Sequence, residues 1–204
     1  MRFITLLFVL ISFDGYAQNA DINILRSINI NRNENLDGTM KFISKTEYVI
    51  GTLTPITVCA TALAKKDFKL LQKGVNMSFA VVLNTGSTYI LKRIVNRDRP
   101  AQTYPDIIAM ENERFHSFPS GHTSNAFVTA TSLSLNFKKW YVILPTYAWA
   151  TAVGYSRMHM GVHYPSDVFA GAIVGAGSAL ITYKANQWIK SYYEKKFVNK
   201  SIEQ

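Results

Sequence analysis

The chain has 204 residues, with 48% apolar and only 17% charged. That is enough for one domain with a sizeable core, but the charged share is low for a protein folded in water. The net charge of +9 calls for anionic partners, yet the basic residues form neither an arm nor an aromatic-interleaved stripe, so the nucleic-acid-binding classes are set aside. A lone cysteine, Cys59, excludes an internal disulfide.

Residues 1–17 have the composition of a secretory leader. Arg2 supplies the charge, Phe3 to Phe13 an apolar stretch and Gly15-Tyr16-Ala17 a small-x-small cleavage site. The remaining 18–204 are expected to form a single domain. From Asp21 to Lys45 the chain is polar, with Leu36, Met40 and Ile43 at helical spacing, which predicts an amphipathic helix lying on the core or on a membrane surface. Five uncharged segments follow: Tyr48 to Ala64, Gly74 to Leu91, Ser120 to Phe137, Trp140 to Ser156 and Val168 to Tyr183. No alternating strand pattern is visible. The expected fold is all-α, a helical bundle of about five or six helices, with Gly171, Gly175 and Gly177 allowing close helix contacts.

Three lysine clusters argue that the bundle is membrane-embedded. Lys65, Lys66, Lys69 and Lys73 lie in one connection, Lys138 and Lys139 in another, and Lys184, Lys190, Lys195, Lys196 and Lys200 in the tail. If the five segments alternate across a bilayer, these eleven of fourteen lysines fall on one side, as the positive-inside rule requires. The other side then receives Lys92 to Phe118 and Arg157 to Asp167, where the chemistry-bearing residues lie.

Three clusters in those loops suit a phosphate. In the first, Lys92 and Arg99 are seven apart and would share a face of one helix that Pro100 ends, pairing a point charge with a guanidinium fork. In the second, Pro119-Ser120-Gly121-His122 reads as a turn into a helix N-cap, with Ser120 as the cap, unpaired N–H groups beside Gly121 and a histidine at the lip. The third is Ser156-Arg157 followed by His163 and Asp167. Here the carboxylate can hold the imidazole in one tautomer, and Arg157 adds a third cation. His159, His163 and Asp167 recur every four residues, but Gly161 and Pro165 break the helix that a metal-binding face would need, so no metal is assigned. Three cations, a helix N-terminus and two histidines suffice for phosphoryl transfer without a metal or other cofactor, one histidine attacking phosphorus and the other protonating the leaving oxygen.

Lys92-x6-Arg99-Pro100, Pro119-Ser120-Gly121-His122 and Ser156-Arg157-x5-His163-x3-Asp167 together resemble the three-part signature of the type 2 phosphatidic acid phosphatase family, whose superfamily includes class A acid phosphatases and vanadium haloperoxidases. The resemblance implies that His163 is a nucleophile forming a phosphohistidine and Asp167 orients it. It makes His122 the general acid and then base, and has Lys92, Arg99, Arg157, Ser120 and Gly121 bind the phosphoryl group. It also implies a metal-independent phosphatase in the bacterial inner membrane with its site facing the periplasm. The substrate would be a phospholipid, polyprenyl or lipid A phosphate, such as undecaprenyl diphosphate or phosphatidylglycerol phosphate. The alternatives are a soluble periplasmic acid phosphatase of broad specificity and a vanadium-dependent haloperoxidase; the short chain argues against the latter. A non-catalytic lipid-binding protein would not need both His122 and the His163–Asp167 pair. His116 and His159 receive no role, and the loop from Ala101 to Ser117 is expected to shape substrate access.

Overall fold

The computed structural model describes residues 19–193; the expected leader, 1–17, lies outside them. A short helix α1 (19–29) and a 3-10 turn (Glu34–Leu36) precede α2 (Asp37–Ala64). Then come α3 (Phe68–Val95), the one-turn α4 (Pro100–Thr103), α5 (Gly121–Phe137), α6 (Trp140–His159) and α7 (Pro165–Tyr193). No strand occurs among the described residues. The all-α bundle is as expected, but its first part differs. The amphipathic stretch is not a separate surface helix: from Asp37 onward it runs without a break into the first uncharged segment. Only residues 19–29 stand apart.

Local chemistry sets most boundaries. Asp67 caps α3 by accepting from the Lys69 and Leu70 amides, each at 3.0 Å. Asn96 ends α3 in the left-handed conformation at φ 50°. Pro165 opens α7, where its missing N–H costs nothing.

The buried hub is α5, which packs against α7, α6, α3 and α2. Its Ala126 and Ala130 meet Ala150 and Val153 of α6, and its Val128 meets Ala80 of α3 and Ala179 of α7. The α5–α7 contact is tight because Gly171 and Gly175 face backbone directly. A Cβ at Gly171 would lie 2.6 Å from the Ser120 carbonyl oxygen, and one at Gly175 would overlap that of Ser124. Gly177, by contrast, faces open space.

Polarity is arranged as in a protein solvated by hydrocarbon. The interior carries hydrogen-bonded polar groups: Asn84 of α3 donates to Asn125 at 2.6 Å, and Thr88 shares a hydrogen bond with Ser124 at 3.1 Å. Large apolar side chains point outward instead, among them Leu53 and Ile56 on α2, Phe79 and Val82 on α3, and Phe169 and Ile173 on α7. Such a surface matches lipid tails rather than water. Two helical stretches are long and apolar enough to cross a bilayer, Glu34–Ala64 and Pro165–Tyr192. The other three segments expected to span fall short in length or apolar content; α5 has only 17 residues, and its buried face carries Ser and Thr beside Ala and Val.

Candidate active site

The three motifs converge at one end of the bundle around a cavity of about 170 Å3. It is lined by Lys92 from the last turn of α3, Arg99, Glu113 and Phe115 from the following segment, Gly121, His122 and Asn125 from α5, His163 from the α6–α7 connection, and Glu47 and Tyr48 from α2. Lys92 and Arg99 do meet, but not on a shared helical face. The helix stops at Val95 and the backbone turns at Asn96, so Arg99 lies in extended backbone as the N-cap of α4. Pro100 therefore starts a helix rather than ending one.

His163 is 1% exposed. Its Nε2 lies 3.4 Å from Arg99 and its Nδ1 3.5 Å from Asp167 Oδ2. Burial pushes the imidazole down to about 4, against the pull of Asp167, which favours its charged form. The ring is thus neutral at physiological pH, with a lone pair available.

Asp167 is completely buried, and donors surround it. Oδ2 accepts from Ser117 Oγ at 2.5 Å and from the Tyr164 amide at 2.9 Å, while Oδ1 accepts from Arg97 at 2.8 Å. Arg97 also reaches Asp21 of α1 at 2.7 Å and covers the Tyr164 ring at 3.8 Å. Asp21 in turn accepts from both the amide and the hydroxyl of Ser166. The short N-terminal helix is in this way fastened to the cavity end of the bundle.

His122 stands across the cavity at the start of α5, where the Tyr48 ring meets it edge-on with centroids 4.9 Å apart. Gly121 has nothing within 4 Å of where a Cβ would stand, leaving its backbone open to a ligand. Ser120 does not line the cavity. It is fully buried, its Oγ accepts from Thr123 Oγ1 at 2.9 Å and caps the helix, and its amide donates to the Asp167 carbonyl.

Arg157 also lies behind the wall. It is fully buried, bonded to Ser44 at 2.7 Å and to Glu111 at 3.0 Å, and paired with Glu113. The other Glu113 oxygen is 3.6 Å from Arg99. Burial opposes ionisation of Glu113, but Arg157 and Arg99 prevail and hold its carboxyl below the usual range. The loop expected to shape access thus places a carboxylate between two of the expected phosphate ligands. Lys92 meanwhile donates to the His116 carbonyl at 2.6 Å, fixing its ammonium at the rim. His159, which received no role, turns to Asp37 at 2.8 Å.

Sequence reasoning missed Ser117, Arg97, Glu113 and Glu47. Only Glu47 left a signal, as a lone carboxylate entering an apolar stretch; it is 3% exposed and lies beside Asn125. Ser117 is within reach of both members of the His163–Asp167 pair, at 2.5 Å from Asp167 Oδ2 and 3.4 Å from His163 Nδ1. We expect Ser117→Ala to lower kcat roughly 10- to 100-fold with KM unchanged, since one hydrogen bond to a charged group is worth about 1.5–3 kcal/mol. Steady-state kinetics in detergent checks the split.

The profile described as the PAP2 superfamily matches residues 73–191, more than half of the chain, and the chain belongs to that family of hydrolases. It is a phosphatase, as its relatives are named. It is 31% identical over 176 residues to an undecaprenyl-diphosphatase of Sulfolobus acidocaldarius, covering 84% of this chain and 82% of that one. Among solved structures, it is similar to Aquifex aeolicus LpxE, with a TM-score of 0.70 at 30% identity over 81% of this chain and 95% of the other. It is also similar to a transmembrane PAP2-type phosphatidylglycerolphosphate phosphatase of Bacillus subtilis, with a TM-score of 0.72 at 25% identity over 90% and 94%.

Proposed function

We propose that the protein hydrolyses a lipid phosphate monoester or diphosphate through a phosphohistidine, without a metal, at the periplasmic face of the bacterial inner membrane. The observation that carries this reading is the buried His163, backed by Asp167 and opening beside Arg99 on the cavity that also holds His122. His163 Nε2 attacks phosphorus, and the ester or anhydride oxygen leaves with a proton that His122 takes up as the phosphate dianion enters beside it. Asp167 stabilises the Nδ1–H side of the ring as positive charge develops. His122, now neutral, takes a proton from water, the hydroxide attacks the phosphohistidine, and the P–N bond breaks to release phosphate and restore His163. Lys92, Arg99 and the open backbone at Gly121 neutralise the equatorial oxygens. Arg157 acts with them once the incoming phosphate replaces the Glu113 carboxylate.

The outward apolar helices and the named substrates of the relatives favour a lipid over a soluble ester. The test is phosphate release by the detergent-purified protein in EDTA. Undecaprenyl diphosphate, phosphatidylglycerol phosphate, phosphatidic acid, lipid A and p-nitrophenyl phosphate are offered side by side. One lipid is expected to turn over far faster than the rest. Equal turnover of all five would replace this reading with a broad acid phosphatase. Activity only after a divalent metal is added would overturn the metal-free mechanism.

A further inference from the structure

The end of the bundle away from the catalytic cavity has a second built site. Lys73 and Lys92 both lie on α3, nineteen residues apart, so the two ends are separated by about 29 Å at 1.5 Å per residue. At the far end a pocket of about 420 Å3 gathers Lys69, Lys73, Lys138 and Lys190, with Gln72 and Asn186 between them. These lysines come from α3, the α5–α6 connection and α7, and among the described residues no acidic side chain lines the pocket. Beside it, an apolar groove of about 410 Å3 runs between α3 and α7, walled by Val75, Phe79, Leu83, Ile181 and Ile189. The two cavities share Gln72 and Asn186, so they form one continuous surface, basic at one end and apolar along the other. Both volumes lie in the range of about 300–1,000 Å3 typical of ligand sites.

Asn76 lies on α3 where the basic end meets the apolar groove. It lines the groove one turn beyond Gln72 and is 6% exposed, and among the described residues its Oδ1 has no hydrogen-bond partner. A buried amide oxygen left unpaired in apolar surroundings is costly. The oxygen itself is walled off from the groove, but the residue marks the place on α3 where the lysines give way to the apolar wall.

We propose that this surface binds one anionic glycerophospholipid, its phosphate among Lys69, Lys73 and Lys138 and an acyl chain along the α3–α7 groove. Three ammonium groups gathered from two elements select a negative headgroup, and the apolar wall excludes a soluble phosphate as the natural occupant. Lys73 is held in place, its ammonium lying 4.9 Å above the Phe137 ring. The site is separate from the catalytic cavity and shares no residue with it.

The experiment is native mass spectrometry of the full chain in detergent, with phosphatidylglycerol and phosphatidylcholine offered at equal concentration. Wild type is expected to retain one phosphatidylglycerol in preference to phosphatidylcholine. The Lys69→Gln/Lys73→Gln/Lys138→Gln variant should retain it at least tenfold less, with phosphatase activity unchanged. Val75→Trp, which fills the groove and keeps every lysine, should lose it too. A Lys65→Gln/Lys66→Gln control removes charge from the same connection outside the pocket and should bind as wild type does. Equal retention by the triple variant and wild type would overturn the proposal, as would equal retention of the two lipids or an equal loss in the control. Full displacement of the lipid by glycerol phosphate would overturn it by assigning the pocket to a soluble anion. A dimer that retains no lipid would overturn it by assigning the groove to a second copy of the chain.

Discussion

His163→Ala should release no phosphate above background from any of the five substrates, a loss on the order of 10⁶ in turnover, as expected when a covalent nucleophile is removed. No other basic group in the cavity can replace it. Lys92 is spent on a backbone carbonyl, Arg99 has no lone pair to offer, and His122 is the residue proposed to protonate the leaving oxygen. The alanine leaves a buried void, so a His163→Gln variant, which preserves much of the volume, is measured beside it. Both should be inactive, and the glutamine variant should keep the wild-type melting temperature more closely. An alkaline quench, which preserves the P–N bond, should trap labelled phosphate on wild type and none on either variant. Turnover near the wild-type rate in a well-folded His163→Ala protein would end the nucleophile assignment.

Asp167→Asn should lower kcat by roughly 10²- to 10⁴-fold while leaving substrate binding nearly intact. The reason lies in the donors around the carboxylate. Oδ2 accepts from Ser117 and the Tyr164 amide, and Oδ1 accepts from Arg97. An asparagine must turn its NH2 toward one of these sides, where it meets either the Tyr164 N–H or the Arg97 guanidinium. In either orientation a donor faces a donor, and the negative charge that stabilises a cationic His163 is gone. Arg97 then has only Asp21 to balance it at this point. A melting curve measured beside the steady-state kinetics separates the two consequences, since a loss of folded protein lowers the melting temperature and a loss of charge alone lowers kcat. A kcat within threefold of wild type would show that Asp167 is not a catalytic partner of His163.

The parts of this site that could be read from sequence are those in which geometry follows from local spacing. Ser120, directly after Pro119 and just ahead of an apolar run, is a capping residue in any context, and it does cap α5. His163 and Asp167, four apart across the start of a helix, must approach each other, and they do. The failures come from two other sources. Pro100 is compatible with a helix end or a helix start, and the choice depended on Asn96 adopting the left-handed conformation one residue past α3. The second source is distance along the chain. Glu113 reaches Arg157 across 44 residues, Ser117 reaches Asp167 across 50, and Arg97 reaches Asp21 across 76. No periodicity announces such pairs, because they exist only once α5, α6 and α7 have packed. The central place of α5 left no mark in the sequence either. Its Ser, Thr and Asn lowered the apparent hydropathy of a segment that is buried against four other helices, so composition understated how central it is.

The carboxylate of Glu113, held between Arg157 and Arg99, makes the resting cavity behave like a loaded ion exchanger. The fixed cations already carry a counter-ion tethered to the protein, present at a high effective concentration and never lost by dilution. Chloride or another monoanion offers one charge and no second point of attachment, so it elutes the carboxylate poorly. On the proposed reading, a phosphoryl group, with up to two charges and three acceptor oxygens on one atom, would displace that carboxylate from Arg99 and, with Glu113 gone, reach Arg157 behind it. Discrimination between phosphate esters and the abundant salts around them would then begin with the exchange itself, before any bond to phosphorus has changed.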